Sequence, residues 1–418
     1  MNKFMTVLVT SAALHVAGAV PMINPETIKF AQDKSSRVVS ITYDLEEECA
    51  IVTFDVLTNG VSIGAINFTN AVGDINRKIN VGKNKRIVWR PWETWPGFRF
   101  ENSEASIKVT AWSTNSPPLY MVVDLDNPAP ENVRYYADAD AVPNGVTDMA
   151  YKTSKLVMRR IPATGVMWRM GDIECEINVQ SDNVSRLVVL TNDYYIGIYP
   201  VTQGQWRRVY DDYGASGKSR YPSVYSGEDR DVHPVENVEW SKIRGDGDSD
   251  QYNWPRDGHR VNSSYFLGRM RAVTSIQFDL PTEAQWEFAC RAGTTGTNNV
   301  DGVSLDDTAW HSGIASTSMP VGLKLQNAFG LYDMLGNVEE LCLDRKGGNK
   351  ANADGTPVIE PVGADSTSGN RIRKGGGFIR NNDPSIYWCR PGITSTGWSQ
   401  NAANKCMGFR LCCPIMAP

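Results

Sequence analysis

The chain is short of the residues from which most metal and redox centres are built. It has four histidines, and beyond the N-terminal segment only His233, His259 and His311 remain, without ligand spacing. None of the eight cysteines (Cys49, Cys175, Cys290, Cys342, Cys389, Cys406, Cys412, Cys413) forms a C-x-x-C pair. A zinc site is therefore not expected. Positive charge is lacking too. The net charge is −5 and no basic stripe is present, which argues against nucleic-acid partners. No apolar run is long enough to span a membrane.

What is there begins with an export plan. Residues 1–19 carry Lys3, then an apolar run, then Ala17-Gly18-Ala19 before Val20-Pro21. This is the layout of a signal peptide with an A-x-A cleavage site, and the expected location is secreted or periplasmic. No cysteine follows the site, which argues against a lipid-anchored lipoprotein. Disulfides between distant cysteines fit an oxidising compartment, with some thiols left free. At 418 residues the chain is too long for one ordinary domain, and its 36 glycines and 22 prolines point to a loop-rich fold.

Residues 35–125 read as β throughout. Val52, Phe54 and Val56 alternate with Thr53 and Asp55, and Ile107, Val109 and Ala111 with Lys108 and Thr110. Further strands are expected at Arg37–Tyr43, Val61–Ile66, Arg86–Trp89 and Leu119–Leu125, with turn signals such as Asn59-Gly60 between them. Short alternating strands at this density predict an antiparallel β-sandwich, immunoglobulin- or fibronectin type III-like in architecture. Residues 126–150, rich in Pro, Ala, Asn and Asp without periodicity, read as a linker. Residues 151–418 form the second domain.

That domain carries two capping boxes. Thr202 is followed three residues later by Gln205, and Thr282 by Gln285, a spacing that satisfies two orphan amide donors reciprocally. Trp206, Val209 and Tyr210 form the inward stripe of the first helix, and Trp286, Ala289 and Cys290 that of the second. Asp246, Asp248 and Asp250 alternate like the start of a calcium loop, but Gln251 and Asp257 stand where glycine and glutamate belong, so a solvated acidic turn is the reading taken. The most unusual stretch is Asn327–Cys342, NAFGLYDMLGNVEELC. Its turn glycines Gly330 and Gly336, amides Asn327 and Asn337, and carboxylates Asp333, Glu339 and Glu340 offer oxygens suited to a hard cation such as calcium. On the residues alone, a buried irregular loop that satisfies its own backbone stands ahead of the metal site.

Several phrases taken together resemble the formylglycine-generating enzyme family, the sulfatase-modifying factors. They are Met170-Gly171, Tyr195–Thr202, His233–Trp240 (HPVENVEW), Leu280–Arg291 (LPTEAQWEFACR), Pro320-Val321-Gly322, the Asn327–Cys342 stretch, Lys374–Phe378 and Gly408–Leu411, in the family's order. The resemblance implies an α+β, C-type-lectin-like fold over the second domain. It implies a structural calcium held by the side chains of Asp333 and Glu340 and the carbonyls of Gly336 and Val338. It also implies a Cys290–Cys389 disulfide. Cys406, Cys412 and Cys413 can pair locally or stay as buried thiols.

Family members that make formylglycine oxidise a cysteine of a sulfatase peptide with oxygen and copper(I) held by two thiolates. Here the serine of the family's Gly-Gly-Ser segment is Gly377, the two cysteine positions are Arg380 and Ser385, and the tryptophan before Glu340 is Glu339. Copper is not expected, since soft thiolates are what copper(I) selects. The family's catalytic positions are thus degenerate and no catalytic residue is assigned. The first reading is an exported binding or interaction module without formylglycine-generating activity. Its unidentified partner would be a protein, peptide or glycan, met by a cleft anchored by Phe378, Arg380, Trp388, Trp398 and Arg390. For each of these residues core packing or a surface ion pair is the alternative, and for the tryptophans it is the plainer reading. The alternatives, in order, are a divergent oxidoreductase of the same family and formylglycine generation itself with recruited cysteines such as Cys406 and Cys412.

Overall fold

In the computed structural model, residues 20–95, 105–127, 129, 131–172, 184–211, 220–245, 252–348, 351–366, 369–379, 389–395, 399 and 401–415 are described. Residues 1–19, where a signal peptide is expected, and the acidic stretch 246–251 lie outside these residues.

The N-terminal part builds two antiparallel sheets. One has Val39–Glu46 at its centre, paired with Gly82–Trp89 and with Lys29–Gln32; the other pairs Ala50–Thr58 with Ala105–Trp112 over their whole length. Burial along Val39–Glu46 alternates strictly, because one face meets the core and the other meets water. Val39, Ile41, Tyr43 and Leu45 from the first sheet and Val52, Phe54 and Val56 from the second share one core with Trp89. The segment expected as a strand at Val61–Ile66 is extended only at Val61–Ser62, then turns into a 3-10 helix at Ala65–Phe68.

Two expected boundaries need correction. The strand at Tyr120–Asp124 does not join those sheets. It pairs with Lys155–Ile161 and Val133–Tyr136, in a five-stranded antiparallel sheet that continues through Tyr194–Gly197 to Cys412–Pro414. The supposed linker 126–150 therefore contains a strand, and its Tyr136 and Val142 are core residues. The physical reason is visible in the residues. Tyr120 and Val122 face one hydrophobic cluster while Met121 and Val123 face another, so this strand is apolar on both sides. The connection from Tyr120–Asp124 to Val133–Tyr136 joins two paired strands of one sheet and is not a spacer between domains.

Helices cover both faces of this central sheet. Glu283–Arg291 packs Ala284, Trp286, Ala289 and Cys290 into the first cluster. Gln203–Asp211, Trp240–Arg244 and Phe266–Thr274 pack Trp206, Val209, Trp240, Ile243, Phe266 and Met270 into the second. Both capping boxes form. Gln205 N donates to Thr202 Oγ1 (3.2 Å) and Thr202 N to Gln205 Oε1 (3.0 Å), and the Thr282–Gln285 pair repeats this at 3.1 and 3.0 Å. A three-stranded sheet sets Glu339–Arg345 between Arg371–Lys374, antiparallel, and Met407–Phe409, parallel. The whole is mixed α/β and rich in sheet. Among the described residues no helix is long and apolar enough to cross a membrane.

Candidate functional site

The Asn327–Cys342 stretch holds the loops around it in place. Asn327 donates through Nδ2 to the carbonyls of Ala289 (2.8 Å) and Cys290 (2.9 Å), near the end of the Glu283–Arg291 helix. Its Oδ1 accepts from the N–H groups of Phe329 and Leu331. Asn337 staples a second loop, accepting from Met319 N (3.1 Å) and donating to Met319 O (3.0 Å). Gly336 has φ 75°, and a Cβ there would lie 2.4 Å from the Trp310 carbonyl oxygen, so only glycine fits. Amide side chains replace the hydrogen bonds that an irregular backbone cannot make for itself.

The donors implied for calcium fit that ion only in part. Asp333 is buried, its Oδ2 accepts from Gly322 N (2.6 Å), and burial pushes its carboxyl up to about 6. A cation there would relieve a desolvated carboxylate. Glu340 is committed elsewhere. Its oxygens accept from Arg410 Nη2 (2.7 Å), from Arg410 Nε (3.0 and 3.2 Å) and from Trp286 Nε1 (2.7 Å). Arg410 also donates to the carbonyls of Gly197 and Tyr332, so Glu340 neutralises a fully buried guanidinium that ties two sheets to the loop. Among the described residues no group of three His, Cys, Asp or Glu side chains gathers in metal-binding geometry.

Beside this loop, Gly377 sits against Glu339 and Cys406. A Cβ built on Gly377 would meet Asn337 O and Glu339 N at 3.4 Å and Cys406 Cβ at 3.5 Å. Glu339 is buried. It forms an ion pair with Arg373 and accepts from Ser395 Oγ (2.8 Å). The Cys406 thiol donates to Ile379 O, and burial together with the Glu339 charge pushes it up to about 12. It is held as a thiol rather than a thiolate. Cys412 faces Gln285 Oε1 (3.8 Å) and lines a separate cavity with Trp254 and His259, so the recruited pair Cys406 and Cys412 does not come together.

The other expected residues separate. Phe378 is 3% exposed, yet it lines a cleft. Arg390 turns to Asp172 (3.5 Å) as a partly exposed ion pair and is not a wall of that cleft. Arg380, Ser385, Trp388 and Trp398 lie outside the described residues. Cys290 and Cys389 are both buried in the same hydrophobic cluster and both are free thiols, with burial pushing Cys389 up to about 12.

The cleft itself has a volume of about 360 Å³, with walls from Val224–Gly227, Glu236, Ser316–Ser318, Phe378 and Lys405. Glu236 is 1% exposed. Its Oε1 accepts from Tyr225 N (2.8 Å), whereas its Oε2 is buried without a hydrogen-bond partner. Desolvation pushes the carboxyl up to about 7. Behind the wall, His233 Nδ1 lies 3.2 Å from Ser318 Oγ and its Nε2 lies 3.2 Å from Asp229 Oδ2. The Tyr225 ring stacks on the imidazole at 3.9 Å. Burial lowers the His233 pKa, against the opposing pull of Asp229.

Sequence reasoning missed Glu236, Ser318 and Lys405. Glu236 stands inside HPVENVEW between Val235 and Val238, which point into the core, and a carboxylate between two core valines was the available signal.

The sequence is 28% identical over 187 residues to the chaperone protein LppX of Paenibacillus barcinonensis, covering 37% of this chain and 63% of that one. It is 42% identical over 76 residues to the formylglycine-generating enzyme of Mycobacterium tuberculosis, covering 15% of this chain and 25% of that one. The chain thus spans less than two thirds of either relative. Among solved structures, the Treponema denticola variable protein 1 shares 25% identity at a TM-score of 0.45, over 62% of this chain and 95% of that one. A family model described as the sulfatase-modifying factor enzyme 1-like domain matches residues 158–415. That is more than half of the 418 residues, and the chain belongs to this family.

Proposed function

We propose that this protein is an exported binding module that keeps the sulfatase-modifying factor scaffold, of C-type-lectin-like type, and does not generate formylglycine. The observation that carries the reading is the Glu339 ion pair. Where the resemblance calls for tryptophan, a buried carboxylate is clamped by Arg373 and Ser395, beside a thiol that is held protonated. Cys406 has no second thiol against it among the described contacts, and Arg380 and Ser385 occupy the family's cysteine positions. Copper(I) is held by soft thiolate pairs, and a lone protonated thiol beside a salt bridge is a poor substitute.

The two N-terminal sheets, read as an immunoglobulin- or fibronectin type III-like sandwich, would act as a spacer or adhesion module for this domain. A structural calcium, where bound, would rest on the Asp333 carboxylate with the carbonyls of Gly336 and Val338, leaving Glu340 to Arg410. A Cys290–Cys389 bridge forming on export would join two thiols that already share one cluster. The test is to incubate the purified chain with copper(I), oxygen and a cysteine-containing sulfatase peptide. The expected product is unchanged peptide; an aldehyde seen by mass spectrometry would overturn the reading.

A further inference from the structure

Of all the polar groups near the cleft, Glu236 has the least satisfied environment. A carboxylate 1% exposed, with Oε1 bonded to the Tyr225 N–H, Oε2 without a hydrogen-bond partner and only the Val224 N–H otherwise turned toward the group, is costly to bury. The side chain contributes to the wall of a cleft of about 360 Å³, a size typical of small-ligand sites. The same cleft is lined by the hydroxyl-bearing residues Ser226, Ser316 and Thr317 and by the aromatic residues Tyr225 and Phe378. Lys405 stands at the same cleft without bonding Glu236 Oε2.

We propose that this cleft recognises a primary ammonium group of the ligand, seated on Glu236 Oε2 with its remaining N–H donors on the surrounding hydroxyls. The inference rests on the binding-module reading and names the chemistry of what is bound. A guanidinium fits less well, because its paired donors prefer both oxygens of a carboxylate and Oε1 is already taken by Tyr225. An ammonium is a compact charge that needs one strong acceptor and several weaker ones, which is what the walls supply. Tyr225 and Phe378 can flank the carbon chain that carries it.

The ammonium can belong to a free amine or to a lysyl side chain, and the experiment separates the two. The full chain is titrated calorimetrically at pH 8 with n-butylammonium chloride and, separately, with N-acetyl-lysine methylamide. The neutral controls are n-butyramide and the Nε-acetylated lysine analogue. Saturable binding of either cation, with no binding of its control, supports the proposal; which cation binds identifies the source. Glu236→Gln keeps the side-chain shape and should weaken binding at least tenfold.

Wild-type affinity should also fall on going from pH 8 to pH 5.5, as protons compete for the carboxylate, and this dependence should vanish in Glu236→Gln. The titratable and charged groups beside Glu236 are Lys405, Cys406 and Tyr225, with Asp229 and His233 behind the Tyr225 ring. Equal binding of cation and neutral control, undiminished binding to Glu236→Gln, or no binding of either amine would each overturn the proposal. Formation of an aldehyde on a sulfatase peptide would instead sink the binding-module reading, so the two failures are distinguishable.

Discussion

Replacing Glu340 by alanine separates two roles for the same side chain. The structure gives it a partner, Arg410, which is fully buried and would lose its counter-charge, and a second, Trp286, whose N–H would lose its acceptor. Removing one member of a buried pair costs about 3–5 kcal/mol, because a desolvated charge is left behind. The carbonyls of Gly197 and Tyr332 still accept from Arg410, which places the expected cost toward the lower end. For a domain of this size that corresponds to a fall in melting temperature of roughly 6–20 °C. Glu340→Gln keeps an acceptor for Trp286 and should fall by less. The assay is thermal unfolding of wild type and both variants in millimolar calcium and again in excess chelator. If the ion pair is what Glu340 serves, the deficit is the same in both buffers. A deficit that appears in calcium and disappears in chelator would refute the reasoning and return Glu340 to the metal.

Other outcomes follow from the same contacts. The Glu236 carboxyl, ordinarily near 4.5, is raised to about 7 in the folded chain, so the native state holds the extra proton between those values. Its contribution is full below pH 4.5 and is lost as pH rises through 7. That amounts to about 3 kcal/mol. Glu236→Gln should therefore gain stability over wild type between pH 4.5 and 8 in urea titrations; a gap that does not change with pH would contradict the burial argument. Asn327→Asp replaces two N–H donors aimed at the Ala289 and Cys290 carbonyls with a carboxylate, and should cost about 2–4 kcal/mol. Unchanged urea midpoints would show that those contacts are dispensable. Thr282→Ala should cost about 1 kcal/mol through loss of the capping box, read in the same titration.

What could be read without coordinates was local. Thr202 with Gln205 and Thr282 with Gln285 announce helix starts because a cap is settled within four residues. Trp206 and Trp286 fall on inward faces because periodicity is local as well. The strand at Tyr120–Asp124 was visible as a strand, but its partner was not, since sheet partners are chosen by tertiary packing and register. Its two apolar faces were the clue that it belonged between layers. Glu340 was visible as a carboxylate in an oxygen-rich loop, while the arginine that claims it lies 70 residues further on. Glu236 was least legible. What marks it is a missing partner in a cleft assembled from five separate segments, and no window of sequence contains that.

The claim that this chain has given up copper chemistry is tested most directly by titrating it with copper(I) under anaerobic conditions against a chromophoric copper(I) chelator. The account predicts that the chelator keeps the metal and that no thiolate-to-copper absorption develops. One equivalent of copper retained by the protein, with an absorption band that disappears in Cys406→Ser, would contradict it.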